Sequence, residues 1–305
     1  MAARTILVIV DPNTTTKQPV LERAAWLAER VGADLELFAC DYDWSVETGP
    51  VSTIWVPKPG ARERLLDRHR QALDVLAAPL RARGLTVTVD IVWDYPLEEA
   101  IVKKVVARKP WLVAKDVEHH NVVQRTFLSN IDWHVIRNCP VPLLLTKPRP
   151  VSGRPNVMAA VDPLHQHDKP AELDDAIFQF ADAFARSIDG TLHVVHAIAL
   201  PRDLDLPPDV ITVLTRQQRD AMESFLKTHT VERANVHLVE GAAHDCIKRA
   251  AEKHGADFVV MGAVARSRLK KLFIGSTAER VLDKLPCDLV IIKPPGIKTA
   301  VLGQS

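Results

Sequence analysis

One stretch of the chain, MGAVARSRLKKLFIGSTAERVLDKLP from Met261 to Pro286, combines residue types that could hold an anion. Gly262 follows an apolar run, at the carboxyl end of an expected strand, and Gly275 opens an expected helix. Ser276 and Glu279 have the S-x-x-E spacing of a capping box, which starts that helix at Ser276. The hydroxyls of Ser276 and Thr277 then face the preceding loop together with the helix's free N–H groups. Such a helix start attracts phosphate through its N–H groups and its dipole. Gly262 and Gly275 would let backbone come close to a phosphate. Arg266, Arg268, Lys270 and Lys271 supply positive charge that reaches either an anion or solvent. The plainer alternative is that the glycines serve tight turns and the basic run is a solvated surface. Neither GxxxxGK[ST] nor GxGxxG occurs anywhere, which argues against a Walker NTPase and a dinucleotide dehydrogenase.

The elements that must position this loop alternate along the chain. Short β-rich runs at Thr5–Val10, Leu35–Cys40, Val87–Trp93, Leu112–Ala114 and Leu143–Thr146 are separated by amphipathic stretches of helical period. Val, Ile and Leu on both faces suit parallel strands covered by helices, and so a doubly wound sheet. After a Pro-rich linker, Pro148 to Pro155, the order restarts with Val157–Val161, Leu192–Ile198, Val236–Val239, Phe258–Met261 and Leu289–Ile292. From about Val89 to Pro148 the halves align without a gap at an offset of 146: Ile101 meets Ile247, Val113 meets Val259, Phe127 meets Phe273, Pro140 meets Pro286 and Leu143 meets Leu289. The matches fall on corresponding elements, the mark of a duplicated unit. The expectation is an α/β chain of two tandem doubly wound, Rossmann-like domains, 1–148 and 156–305.

In the order strand, Gly262, Ala265, Gly275-Ser276-Thr277, final strand, the second half resembles the universal stress proteins. Their nucleotide-binding members carry Gly, two residues, Gly, nine residues, then Gly with Ser or Thr. The resemblance extends over both halves and is strongest to the tandem, two-domain bacterial E-type. It implies an adenine-nucleotide α-hydrolase-like fold and a stress-response role without enzymatic turnover. ATP, brought in with Mg²⁺, would bind in the second domain. Residue by residue it implies Asp162 beside the adenosine and Ala197 flanking the base. Gly262, Ala265, Arg266, Gly275, Ser276 and Thr277 would surround the ribose and phosphates. Ala265 departs from the pattern by putting a methyl group where the second glycine stands. Two alternatives stay open: a slow ATPase, for which no dedicated base is evident near the loop, and a scaffold that takes an apolar, lipid-like ligand or a protein through its first domain.

At the same offset the first half has Asp116 for Gly262, His119 for Ala265, His120 for Arg266 and Ser129 for Gly275. A carboxylate roughly 4 Å from a phosphate charge costs about 1 kcal/mol in water and about 4 at an effective dielectric of 20. No nucleotide is expected there, and Asp11, ending the first strand, reads as inheritance from the fold. His119 with His120, and His165 with His167, lack the converging third and fourth ligands of a structural zinc site, so no metal site is assigned. The long stretch from Asp41 to Gly60, with Trp44 and Trp55, either pins itself to the core or caps an apolar pocket.

Composition narrows the remaining classes. A net charge of +1 among 305 residues gives no field to draw the chain to nucleic acid or an anionic membrane. The apolar run at the N-terminus is cut off by Asp11, too short for a secretory or spanning segment. Cys40, Cys139, Cys246 and Cys287 show no CxxC spacing and read as buried free thiols of a reducing compartment, hence a cytoplasmic protein. An unknown protein partner is expected to receive any nucleotide signal. The two last strands could pair within one chain, and the reading leans towards a homodimer of such chains.

Overall fold

The computed structural model describes residues 4–14, 18–43, 46, 60–117, 129–151, 153–164, 170, 172–200, 207–263, 265–266, 273–274, 281 and 285–294. They fall into two compact units, one drawn from Met1–Asp116 and Ser129–Val141, the other from Pro142–Lys298. In the first unit β1 (Arg4–Ile9), α1 (Pro19–Val31), β2 (Ala33–Asp41), α2 (Ala61–Ala82), β3 (Val87–Trp93), α3 (Leu97–Arg108), β4 (Leu112–Asp116) and α4 (Asn130–Asn138) alternate as the apolar periodicity predicts. The strands are parallel in the order β3-β2-β1-β4. Ile6, Leu7, Val8, Leu112, Val113 and Ala114 are fully buried, as strands covered on both faces require.

The second unit contains β5 (Leu143–Thr146), β6 (Asn156–Ala160), α5 (Glu172–Ser187), β7 (Thr191–Ile198), α6 (Pro208–Thr228), β8 (Val236–Glu240), α7 (Ala243–Lys253), β9 (Phe258–Gly262), the two-residue strands β10 (Ala265–Arg266) and β11 (Phe273–Ile274), and β12 (Asp288–Ile292). Its main sheet runs β5-β12-β9-β6-β7-β8. All of its pairings are parallel except β5 with β12, which is antiparallel with Leu289 opposite Leu145 and Ile291 opposite Leu143. The last strand of the first repeat therefore completes a sheet otherwise built from the second repeat, and the compact units do not divide at the linker.

Helix α5 shows how the sequence makes the layer. Leu173, Ile177, Ala181 and Phe184 recur at helical spacing and are buried against the sheet, while the rings of Phe184 and Phe258 meet edge to face at 5.1 Å. All ten main-sheet strands fall within two residues of the bounds expected from periodicity. None of the four cysteines is in a disulfide; Cys139, Cys246 and Cys287 are buried, and Cys40 is half-buried. Among the described residues no helix is long and apolar enough to cross a membrane.

Candidate functional site

In the second unit the chain leaves β6, runs outward through β7 to β8, and then crosses back to β9 on the other side of β6. The carboxyl ends of β6 and β9 consequently diverge into loops on opposite faces, and that crevice is where open α/β sheets take ligands. The register pairs Ala160 with Met261, so Asp162 and Gly262 lie just beyond and at the ends of neighbouring strands. The structure brings these two expected residues together. Ala197 lies one strand further out, near the end of β7 and paired with Val239 of β8. Ala265 and Arg266 form β10, whose backbone pairs antiparallel with β11, Ala265 opposite Ile274 and Arg266 opposite Phe273. Ala265 thus has strand backbone, which any L residue adopts. Gly275, Ser276, Thr277 and the Ser276/Glu279 capping box lie outside the described residues, as do His119, His120, His165, His167, Trp44 and Trp55.

Hydrogen bonds hold the strand ends that frame the crevice. The backbone N–H of Asp162 donates to Asp174 Oδ1 at 2.9 Å, from a carboxylate that is buried in the first turn of α5. His196 of β7, buried, lies with Nδ1 3.1 Å from the Val161 carbonyl, which can only accept. Nδ1 therefore carries a proton, and Nε2 is buried with no hydrogen-bond partner among the described residues. Gln218 of α6 clamps the end of β7 by accepting from the Ala199 N–H and donating to the Ala199 carbonyl, each at 3.1 Å. Beyond β9, Ala263 donates to Ile292 and its carbonyl accepts from the buried Lys293 ammonium at 2.8 Å. Asp174, His196, Gln218 and Lys293 were invisible to motif reading because each acts on backbone from a different element. Buried polar types inside apolar runs were the only signal.

Gly262 has a packing role besides the one its position suggests. Its backbone is not left-handed; a Cβ built there would meet Leu173 Cδ2 at 2.6 Å and Ile177 Cδ1 at 3.2 Å. The missing side chain lets α5 lie close to the end of β9, and so brings the N-terminal turn of α5, with Asp174, to the crevice. That packing role requires the absence of a side chain whether or not the backbone also approaches a phosphate.

At the equivalent place in the first unit the start of α4 is capped from within and carries a buried ion pair. Ser129 caps α4: its Oγ accepts from the Asp132 N–H at 3.2 Å, while its own N–H donates to Asp132 Oδ2 at 2.9 Å. This reciprocal box satisfies the N–H groups of Ser129 and Asp132 at the start of α4. The Lys115 ammonium lies 2.7 Å from Asp132 Oδ1, a carboxylate with no exposed surface. Gln18 ties the strand end as Asp174 does in the second unit, accepting from the Asp11 N–H at 2.9 Å and donating to its carbonyl at 3.1 Å.

A further cluster escaped the sequence reading. His193, His237 and His254, spread over three elements of the second unit, bring their ring nitrogens together at the opposite, amino-terminal end of the strands.

The fold and the crevice define a tandem Rossmann-like α/β protein. Both repeats match the model of the universal stress protein family, over residues 2–147 and 155–293, and the chain belongs to that family. Universal stress protein E of Salmonella typhi is 28% identical over 306 residues, covering 97% of this chain and 96% of that protein. Universal stress protein E of Escherichia coli strain K12 matches with the same identity and coverage. A solved universal stress protein structure from Pseudomonas aeruginosa UCBPP-PA14 superposes with a TM-score of 0.74 at 28% identity, over 96% of this chain and 94% of that one.

Proposed function

We propose that the second repeat binds an adenine nucleotide, ATP with Mg²⁺, at the crevice between the ends of β6 and β9, and that the chain acts in the cytoplasmic stress response as a nucleotide-dependent signal rather than as an enzyme. The observation that carries this reading is the convergence of Asp162 and Gly262 at the point where the strand order reverses. From Gly262 the chain leads through Ala265 and Arg266 towards Gly275, Ser276 and Thr277, in the order the family motif requires. Backbone N–H groups and hydroxyls of that segment hold the phosphates, and Ala197 flanks the base. The first repeat takes no nucleotide: Asp116 stands where the second repeat has Gly262, and the Asp132 carboxylate already fills the start of α4.

Isothermal titration of ATP with Mg²⁺ into wild type and Gly275→Asp tests this. About one site per chain, lost in the variant, is the expected result. An absence of binding to the wild type overturns the reading and favours the scaffold alternative.

A further inference from the structure

The second unit has an end that the nucleotide reading does not use. In a β-α-β unit the helix runs back against its strands, so the carboxyl end of α7 arrives beside the amino-terminal ends of β7 and β8. His254 is the residue that caps it. His193 is the third residue of β7 and His237 the second of β8, and the register opposes His237 to Val195. Side chains two apart share a face, so His193 and His237 both project from one face of the sheet, the one that α7 covers.

The three rings are packed against one another. His193 Nδ1 and His237 Nε2 are 3.0 Å apart, the His237 and His254 rings stack with centroids 3.7 Å apart, and one ligand nitrogen from each residue lies within 4.8 Å of the others. His193 is buried and the other two are half-buried, which leaves an approach from solvent. Burial first, then the neighbouring His254 and His193, pushes His237 down to about 4; burial lowers His193 and His254 as well.

We propose that His193, His237 and His254 form a site for a divalent late first-row transition ion, such as Zn²⁺, with three imidazole ligands and a fourth position open to water. Three nitrogen donors and one open position are the ligand set of many tetrahedral zinc sites, and imidazole disfavours Mg²⁺ and Ca²⁺. Bonds of about 2.0–2.1 Å require donor nitrogens roughly 3.3 Å apart. His193 and His237 are already near that spacing. His254, at the end of a helix and partly exposed, has the freedom to turn out of its stack and close the set. The ion would join β8, the outermost strand of this sheet, to β7 and to the end of α7, at the far end of the strands from the nucleotide crevice.

The test uses the full chain without an affinity tag, stripped with a chelator and titrated with Co²⁺, then with Zn²⁺ in competition. Parallel titrations use His237→Ala, His254→Ala, and two double variants that remove His119 with His120 and His165 with His167. The expected result is one Co²⁺ per chain with the visible bands of four-coordinate cobalt, displaced by Zn²⁺. Both double variants should keep it. Loss of a direct ligand should weaken binding by more than the roughly 10–100-fold that loss of a supporting partner costs. Zn²⁺ should also raise the melting temperature of the wild type and not that of the folded His254→Ala protein, as a ligand of the native state must. No stoichiometric uptake by the wild type, uptake that survives either single substitution, or uptake lost with the double variants overturns the proposal.

Discussion

Replacing Gly262 with Ala is the sharpest probe of how the crevice is built. The added Cβ would lie 2.6 Å from Leu173 Cδ2 and 3.2 Å from Ile177 Cδ1. Carbon atoms settle at about 3.5–4.0 Å, so α5 or the Leu173 side chain must yield by about 1 Å. Leu173 has no exposed surface and is enclosed. Overpacking of this kind costs about 1–3 kcal/mol. Leu173→Ala by itself leaves a cavity and should cost about 2–5 kcal/mol. In the double variant the new methyl group occupies part of the space that Leu173 vacates. The combined loss should fall short of the sum of the two single losses by at least about 1 kcal/mol, which is within the range for residues in contact. Urea denaturation followed by circular dichroism measures all four corners of this cycle. Tryptophan fluorescence cannot replace it, because all six tryptophans, from Trp26 to Trp133, precede the linker. Strict additivity, or a stabilised Gly262→Ala protein, would refute the close-packing account and return Gly262 to a purely local role in the loop.

Two further outcomes follow from buried groups. Asp132→Ala removes one partner of the buried Lys115, which keeps the Asp116 carbonyl, together with half of the Ser129 capping box, and should cost about 1–3 kcal/mol by denaturation; a loss under about 1 kcal/mol would mean that the pair is solvated. Burial pushes the Cys287 thiol up to about 12 and that of Cys40 up to about 11, so a disulfide reagent at pH 8 should label both slowly until the chain is unfolded. Their native values lie above the unfolded 9.0, so these two thiols should withdraw stability as pH rises from 9 towards 12; prompt labelling of Cys287 in the folded chain would contradict its burial.

Much of this architecture was legible because its physics is local. Runs such as Leu143–Thr146 and Phe258–Met261 announce strands by composition and length, and the offset between Val113 and Val259 fixes equivalent positions in the two repeats. That Asp162 and Gly262 serve one place in the fold was implied by the family resemblance, and the register of β6 with β9 sets them at neighbouring strand ends. What stayed hidden depends on which element lies above which. Nothing beside Gly262 in the sequence says that its vacancy is filled by Leu173 from a helix nearly ninety residues earlier. Asp132 could be placed on a helix, but its pairing with Lys115 needs the helix seated on its strand. The three histidines lie in separate elements, so no spacing rule for metal ligands could collect them.

The antiparallel pairing of β5 with β12 has a historical consequence. A duplicated gene at first encodes two self-sufficient halves, each able to survive the loss of the other. Once a strand from the first copy pairs with the last strand of the second, a break at Gly153 would leave the backbone of Leu289, Val290 and Ile291 without its neighbour on that side. An unpaired strand edge invites association with whatever strand comes by. Selection then acts on the pair as one gene, leaving the first copy free to diverge in sequence while its last strand still serves the second copy's sheet.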